Sequence, residues 1–147
     1  MIDRCASVEQ PGWLSLRTAL WPQSTREQHL SEMSSFLRTP DRYAQFVAYA
    51  SSGQALGLVE ASVRSDYVNG AESSPVAFLE GIYVVPQARR KGIAAGLVAA
   101  VTGWALEVGC RELASDVLLE NLVSHAVHRA LGFEETERVV FFRRVLS

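Results

Sequence analysis

Between Val76 and Val117 the chain reads as a strand, a basic loop, a helix and a second strand, and that order leaves little freedom of topology. Val76-Ala-Phe-Leu-Glu-Gly-Ile-Tyr-Val-Val85 is apolar almost throughout, as expected of a strand covered on both faces. Pro86 has no N–H to give a ladder and ends it. After Gln87-Ala-Arg-Arg-Lys-Gly92, the residues Ile93, Leu97, Val101, Trp104 and Val108 recur at helical spacing, and Gly109 suits the helix end. Leu113-Ala-Ser-Asp-Val117 then reads as a short strand. Two strands joined through a helix need a crossover and therefore run parallel.

The flanking segments complete the pattern. Residues 2–5 read as an opening strand. Trp13, Leu16, Leu20 and Trp21 mark a helix stopped by Pro22. Ser24-Thr-Arg-Glu27 has the form of a capping box for a second helix, whose apolar face is Leu30, Met33 and Leu37. Phe46-Val-Ala-Tyr-Ala50 and Leu56–Val63 read as strands around Ser51-Ser52-Gly53. Residues 65–75, with Asn69-Gly70 and Pro75, form a turn-bearing loop. Leu122–Leu131 reads as a helix with Val123, Val127 and Leu131 on one side, and Val139-Val-Phe-Phe142 as a last strand. The expectation is one α/β domain over residues 1–147, with a mixed sheet and helices on both faces.

A chain of 147 residues with net charge −2, 48% hydrophobic and 20% charged, can bury a core without disulfide staples. The mild acidity argues against general nucleic-acid binding, and no apolar run reaches the length of a membrane span. The opening residues lack the layout of a signal peptide, so the expected location is cytoplasmic. Cys5 and Cys110 stand alone and read as reduced, packed thiols. His125 and His128 share a helix face but have no third ligand nearby, so no metal is expected.

The loop after Val85 carries the first chemical signal. Arg89, Arg90 and Lys91 lead into Gly92 and the start of a helix, whose first N–H groups lack internal partners and sit at the positive end of the dipole. Gly92 removes the side chain that would keep a ligand off the backbone. This arrangement suits a phosphate or pyrophosphate. Neither the Walker pattern nor the dinucleotide fingerprint is present.

Arg89-x-x-Gly92-x-Ala94 after Val84-Val85-Pro86 resembles the acetyl-CoA signature of the GNAT acetyltransferase superfamily, and Asn121 and Ala130-Leu-Gly-Phe133 fit the same pattern. Tyr67-Val-Asn-Gly70, Ser74-Pro75, Phe78-Leu-Glu-Gly-Ile82, Ala114-Ser-Asp116, Gly132-Phe-Glu-Glu-Thr-Glu137 and Trp21-Pro22 further resemble the bacterial aminoglycoside 6′-N-acetyltransferases. The resemblance implies a GNAT-like mixed sheet whose central parallel strands splay to admit the pantetheine arm of acetyl-CoA. It implies that Ile82, Tyr83 and Val84 face that arm by their backbone. Arg89, Arg90, Lys91, Gly92, Ile93 and Ala94 would hold the pyrophosphate, Asn121 would reach the arm, and His128 would touch the cofactor. His128 stands where many GNAT enzymes have a tyrosine that protonates the leaving thiolate, which leaves water as a candidate acid.

A polycationic aminosugar acceptor calls for carboxylates. The candidates are Glu80 within the apolar strand, Asp116 beyond the next one, Glu137 and Glu72. A carboxylate buried in such a strand is costly unless partnered, and an active-site cleft accounts for Glu80. Tyr67 and Trp21 would cover the sugar rings. Glu80 is the expected proton acceptor, through water, and a strand N–H near Tyr83 the expected oxyanion donor. Glu137 leads into an apolar strand, and the resemblance implies a homodimer in which it approaches the partner's site. Two further readings share the cofactor loop: acetylation of another amine, such as a polyamine or a protein N-terminus, and a non-catalytic acyl-CoA-binding module.

Overall fold

The structure, a computed structural model, describes residues 1–146. Its elements follow the expected order: β1 (Ile2–Arg4), α1 (Trp13–Leu20), α2 (Arg26–Leu37), β2 (Tyr43–Tyr49), β3 (Ala55–Arg64), β4 (Val76–Val84), α3 (Ile93–Glu107), β5 (Leu113–Ala114) and α4 (Leu122–Ala130). The five strands form one sheet in the order β1-β2-β3-β4-β5. The first three junctions are antiparallel, and β4 runs parallel to β5 as the crossover requires.

Two clusters hold the layers together. On one face, Leu97, Val101 and Trp104 of α3 pack on Ala44, Val59, Ala61, Ala77 and Leu79. On the other, Trp13 and Leu16 of α1 and Met33 of α2 pack on Val47, Tyr49 and Leu58. Small residues on the sheet let α3, itself apolar on most sides, lie close to it. Both cysteines are free and buried.

Three expectations change. The capping box of α2 is Thr25 with Gln28, one residue later than Ser24 with Glu27. The Ser24 N–H already donates to the Trp21 carbonyl in the turn that leaves α1, so capping falls to the next hydroxyl. β5 ends at Ala114 instead of Val117. Val139–Phe142 forms no strand: it pairs with none of the five strands among the described residues, and Phe142 is 93% exposed. The apolar residues Leu122, Val123 and Val127 of α4 are exposed as well.

Candidate active site

β4 carries a one-residue bulge, and the site is built around it. Glu60 of β3 pairs with Gly81 and Ala61 pairs with Leu79, so Glu80 has no partner across the ladder. A bulge of this kind re-aims the side chain it frees. Glu80 is therefore exposed rather than buried, contrary to the apolar look of its strand. Its carboxylate accepts from Ser62 Oγ and from Arg64 at 3.0 Å, and the Arg64 guanidinium in turn lies 3.6 Å from the Phe78 ring centre.

Glu80 opens into a pocket of about 380 Å³ on the α1/α2 face, lined also by Arg17, Trp21, Ser24, Glu32, Tyr43 and Glu60. The Trp21 indole packs against Gly81; a Cβ there would come within 2.5 Å of the ring. Aromatic wall and carboxylates together suit a ligand that is both carbohydrate-like and cationic.

Beneath this pocket lies a buried charged network that the sequence analysis did not anticipate. Glu60 and Arg17 are 3% and 2% exposed and form an ion pair. Glu60 also accepts from Trp13 Nε1 at 2.8 Å. Burial pushes the Glu60 carboxyl upward, opposed by the Arg17 charge and the Trp13 bond. Arg17 reaches Glu32 at 3.3 Å and donates from Nε to His29 Nδ1 at 3.1 Å. The available signal was Glu60 itself, a carboxylate amid Leu56–Val63, as conspicuous as Glu80.

The other edge of β4 faces the opening towards β5. Only Ala77 and Phe78 pair with β5, opposite Leu113 and Ala114, after which β4 continues to Val84 with that edge unpaired. The Val85 N–H donates to Leu56 of β3 at 2.9 Å. By the two-residue period of an antiparallel ladder, the Tyr83 N–H also faces β3, opposite Leu58, while those of Ile82 and Val84 face the opening. The expected donor at Tyr83 is thus corrected: the Tyr83 N–H is turned to β3, and the strand N–H groups that face the opening are those of Ile82 and Val84. Tyr83 packs by its side chain against the α1/α2 cluster, with Arg89 5.7 Å from its ring centre.

At the end of this opening the chain makes a short 3-10 turn at Pro86–Ala88 and then two left-handed residues, Arg90 (φ 63) and Gly92 (φ 82). Alternating backbone of this sort directs successive N–H groups to one side and forms an anion nest. Gly92 caps α3 by conformation alone, with no side chain bonded to the first turn, and a Cβ at Gly92 would meet nothing within 4 Å. The N–H groups of Ile93 and Ala94 and the exposed Arg90 and Lys91 surround open space. Arg89 instead donates through Nε to the Val84 carbonyl at 2.8 Å, bracing the loop against the strand. Free strand edge, nest and helix start fit an extended arm ending in a pyrophosphate.

The remaining candidates are dispersed. Asn121 is a helix cap: its oxygen accepts from the Ser124 N–H at 3.1 Å, and its amide NH₂ stays available to a ligand. Both His128 ring nitrogens have partners, Ser124 O at 2.7 Å and Ser115 Oγ at 2.8 Å. Asp116 is exposed just past β5 and makes no ion pair among the described residues. Tyr67, 77% exposed, and Glu72 sit on the 65–75 loop. That loop is tied down by Glu112, which accepts from the Glu72 N–H at 3.0 Å, the Ser73 N–H at 2.7 Å and the Ser73 hydroxyl. These bonds hold the Glu112 carboxyl below the usual range, the Ser73 hydroxyl foremost. Thr136 lies against Gly70 of the same chain, so Glu137 is presented beside its own loop. No group of three or more potential metal ligands occurs among the described residues.

Residues 12–133 match the acetyltransferase (GNAT) family. The chain is 52% identical over 147 residues, all of both chains, to an aminoglycoside N(6′)-acetyltransferase type 1 of Serratia marcescens. It is 54% identical to the protein of the same name from Acinetobacter genomosp. 13, over 90% of this chain and 89% of the relative. Among solved structures, it superposes on the apo aminoglycoside 6′-N-acetyltransferase AAC(6′)-Ig of Acinetobacter haemolyticus with a TM-score of 0.91 and 44% identity, covering 100% and 99% of the two chains. It superposes on AAC(6′)-Iy, in complex with a bisubstrate analogue joining CoA to acetylneamine, with a TM-score of 0.89 and 47% identity over 99% of each chain.

Proposed function

Because the chain belongs to the GNAT acetyltransferase family, we propose that it moves the acetyl group of acetyl-CoA to the 6′-amine of aminoglycosides, the reaction its relatives are named for, and so confers resistance to those antibiotics. The observation that carries this reading is the β4 bulge. It puts a carboxylate, Glu80, in an aromatic-walled pocket on the α1/α2 face. Two residues on, it leaves free N–H groups on the edge towards β5.

In this reading Ile82 and Val84 bind the pantetheine arm by backbone, and the 90–94 nest holds the pyrophosphate with Arg90 and Lys91. Glu80 and Trp21 receive the amine-bearing ring, while Asp116, Glu137, Glu72 and Tyr67 receive the rest of the aminoglycoside. An ammonium has no lone pair with which to attack, so it must first lose a proton. Glu80 takes that proton through water. The free amine then attacks the thioester carbon, and the Ile82 N–H stabilises the charge on the carbonyl oxygen. As the C–S bond breaks, the attacking nitrogen gives up its second proton, which passes through water to the leaving thiolate, while the proton taken by Glu80 is released to solvent. Holding both substrates across one strand supplies much of the acceleration.

The enzyme acts as a homodimer in the cytoplasm. The exposed run from Val139 to Leu146 and the uncovered apolar side of α4 favour a second copy as their cover. The two free thiols suit a reducing compartment. No described helix is long and apolar enough to cross a membrane.

The test is steady-state acetylation of kanamycin beside an analogue carrying a 6′-hydroxyl, with spermidine and an amino-terminal peptide as rival acceptors. Kanamycin alone should be turned over. Equal turnover of the hydroxyl analogue, or preference for a rival amine, refutes the assignment. A monomer by light scattering at micromolar concentration, with full activity, refutes the dimer.

A further inference from the structure

The buried network beneath the acceptor pocket has no place in the chemistry above, yet it removes three ionisable side chains from water. Arg17, Glu60 and His29 all lie in the core, His29 with no exposure at all. Replacing a buried ion pair by apolar residues of similar volume is often neutral or stabilising, so stability alone gives little reason for the network. Its contacts give a better one.

His29 Nδ1 accepts from Arg17, so the ring proton is on Nε2, and that N–H donates to the Trp21 carbonyl at 3.2 Å. The Arg17 guanidinium lies 4.8 Å from the Trp21 ring centre. The benzene edge of the indole, at Cζ2 and Cη2, rests on Gly81. Trp21 follows α1 with φ −126 and ψ 72; its N–H donates to the Arg17 carbonyl at 2.8 Å, and its carbonyl also accepts from the Ser24 N–H at 3.3 Å. Backbone and ring of this one residue are therefore held by His29, Arg17 and the β4 bulge. Arg17 extends the same hold to Glu32 at the pocket mouth.

We propose that His29 and Arg17 are positioning residues which fix Trp21 as the wall of the acceptor pocket, so that the amine-bearing ring meets a preformed surface. The inference rests on the proposed reading that this pocket takes the acceptor. Pre-organisation of this kind lowers the ordering cost of binding and leaves the cofactor side untouched.

Arg17 variants strand the buried Glu60 and risk misfolding, so the test uses His29→Phe, which keeps a ring but loses both bonds, and His29→Gln, whose amide can restore the bond to Trp21. KM for kanamycin should rise about tenfold in His29→Phe, as expected for one buried hydrogen bond. KM for acetyl-CoA and kcat should stay within about twofold, and His29→Gln should recover most of the loss. In a Trp21→Ala background the same His29→Phe change should cost little, because the residue it positions is gone. Equal effects on both substrates, or additivity with Trp21→Ala, overturn the proposal. Nitrogen-15 NMR of the Trp21 indole separates this inference from the functional reading. If wild type turns over no aminoglycoside, a shifted or broadened Trp21 resonance in His29→Phe still supports positioning, and an unchanged resonance refutes it.

Discussion

Gly81→Ala probes the packing of the acceptor wall most directly, because the added methyl has nowhere to go. Its Cβ would lie 2.5 and 2.8 Å from two carbons of the Trp21 indole and 2.9 Å from Leu20 Cδ2. Carbon atoms in contact sit about 3.5–4.0 Å apart, so the ring must retreat by about 1 Å. Leu20 can turn its methyl aside. The indole cannot retreat freely, since Arg17 stacks on it and His29 holds its backbone. Overpacking of this sort costs about 1–3 kcal/mol. Replacing a strand glycine returns about 0.5–1 kcal/mol through the unfolded chain. Gly81 is not among the left-handed glycines, so alanine meets no backbone strain there.

The net loss is about 0–2.5 kcal/mol, a fall in Tm of up to about 10 °C for a chain of this size. Thermal unfolding by circular dichroism measures it, and the same preparation should show a raised KM for kanamycin with acetyl-CoA binding unchanged. In a Trp21→Leu background, Gly81→Ala should cost nothing or stabilise slightly, because the clash is removed. Unchanged Tm and unchanged acceptor KM in the single variant would refute the packing of Trp21 on the bulge, and with it the account of the pocket wall.

Other substitutions separate the remaining parts. Glu80→Gln keeps shape but loses the proton acceptor; kcat/KM for kanamycin should fall about 100-fold with acetyl-CoA affinity intact, and wild-type turnover would exclude Glu80 as base. Gly92→Val puts a β-branched residue at φ 82 and fills open space, so calorimetry on the folded variant should show at least a tenfold loss of acetyl-CoA affinity. Glu60→Gln leaves Arg17 buried with weaker partners and should lower stability by about 3 kcal/mol, or Tm by about 6–12 °C. Glu112 is held below the usual carboxylate range by the bonds it accepts. Its contribution to loop order is therefore fully present above that range and is lost as pH falls through the lowered value. Amide exchange at Glu72 and Ser73 should stay slow from neutral pH down through the ordinary carboxylate range and quicken only below it; Glu112→Ala should abolish the protection at every pH.

How much of this could be read from residues alone depended on whether the signal was local. The β4–α3–β5 crossover was legible because apolar run, proline, glycine and helical periodicity follow one another in sequence. The phosphate nest was legible for the same reason, though not the left-handed Arg90 within it. Signals that depend on a distant partner failed. Val139–Phe142 looks like a strand, but strand formation needs an edge to pair with, and among the described residues it pairs with none. Glu60 and Glu80 look alike, each a carboxylate within an apolar run, yet the first is buried on Arg17 and the second is turned outward at the bulge. Only the facing helix and the register across β3 and β4 tell them apart. His29 gave no sign of its role, since its partners Arg17 and Trp21 belong to another helix and to the turn after it.

The bulge also decides which backbone groups are free, by a matter of parity. The Ala77 N–H points to Glu112 on the β5 side, while that of Val85 points to Leu56 on β3. In an unbroken strand two odd-numbered residues would face the same neighbour. One extra residue between them is required to turn Val85 round, and the register places it at Glu80. Had β4 been regular, Gly81 and Tyr83 would present their N–H groups to the opening, and Ile82 would donate to β3. The insertion that frees the Glu80 side chain into the α1/α2-face pocket is thus the same one that sets the Ile82 and Val84 N–H groups towards the opening beside β5. Restoring a regular ladder would therefore disturb both sides of the strand, whereas changing the Glu80 side chain alone should disturb only the acceptor side.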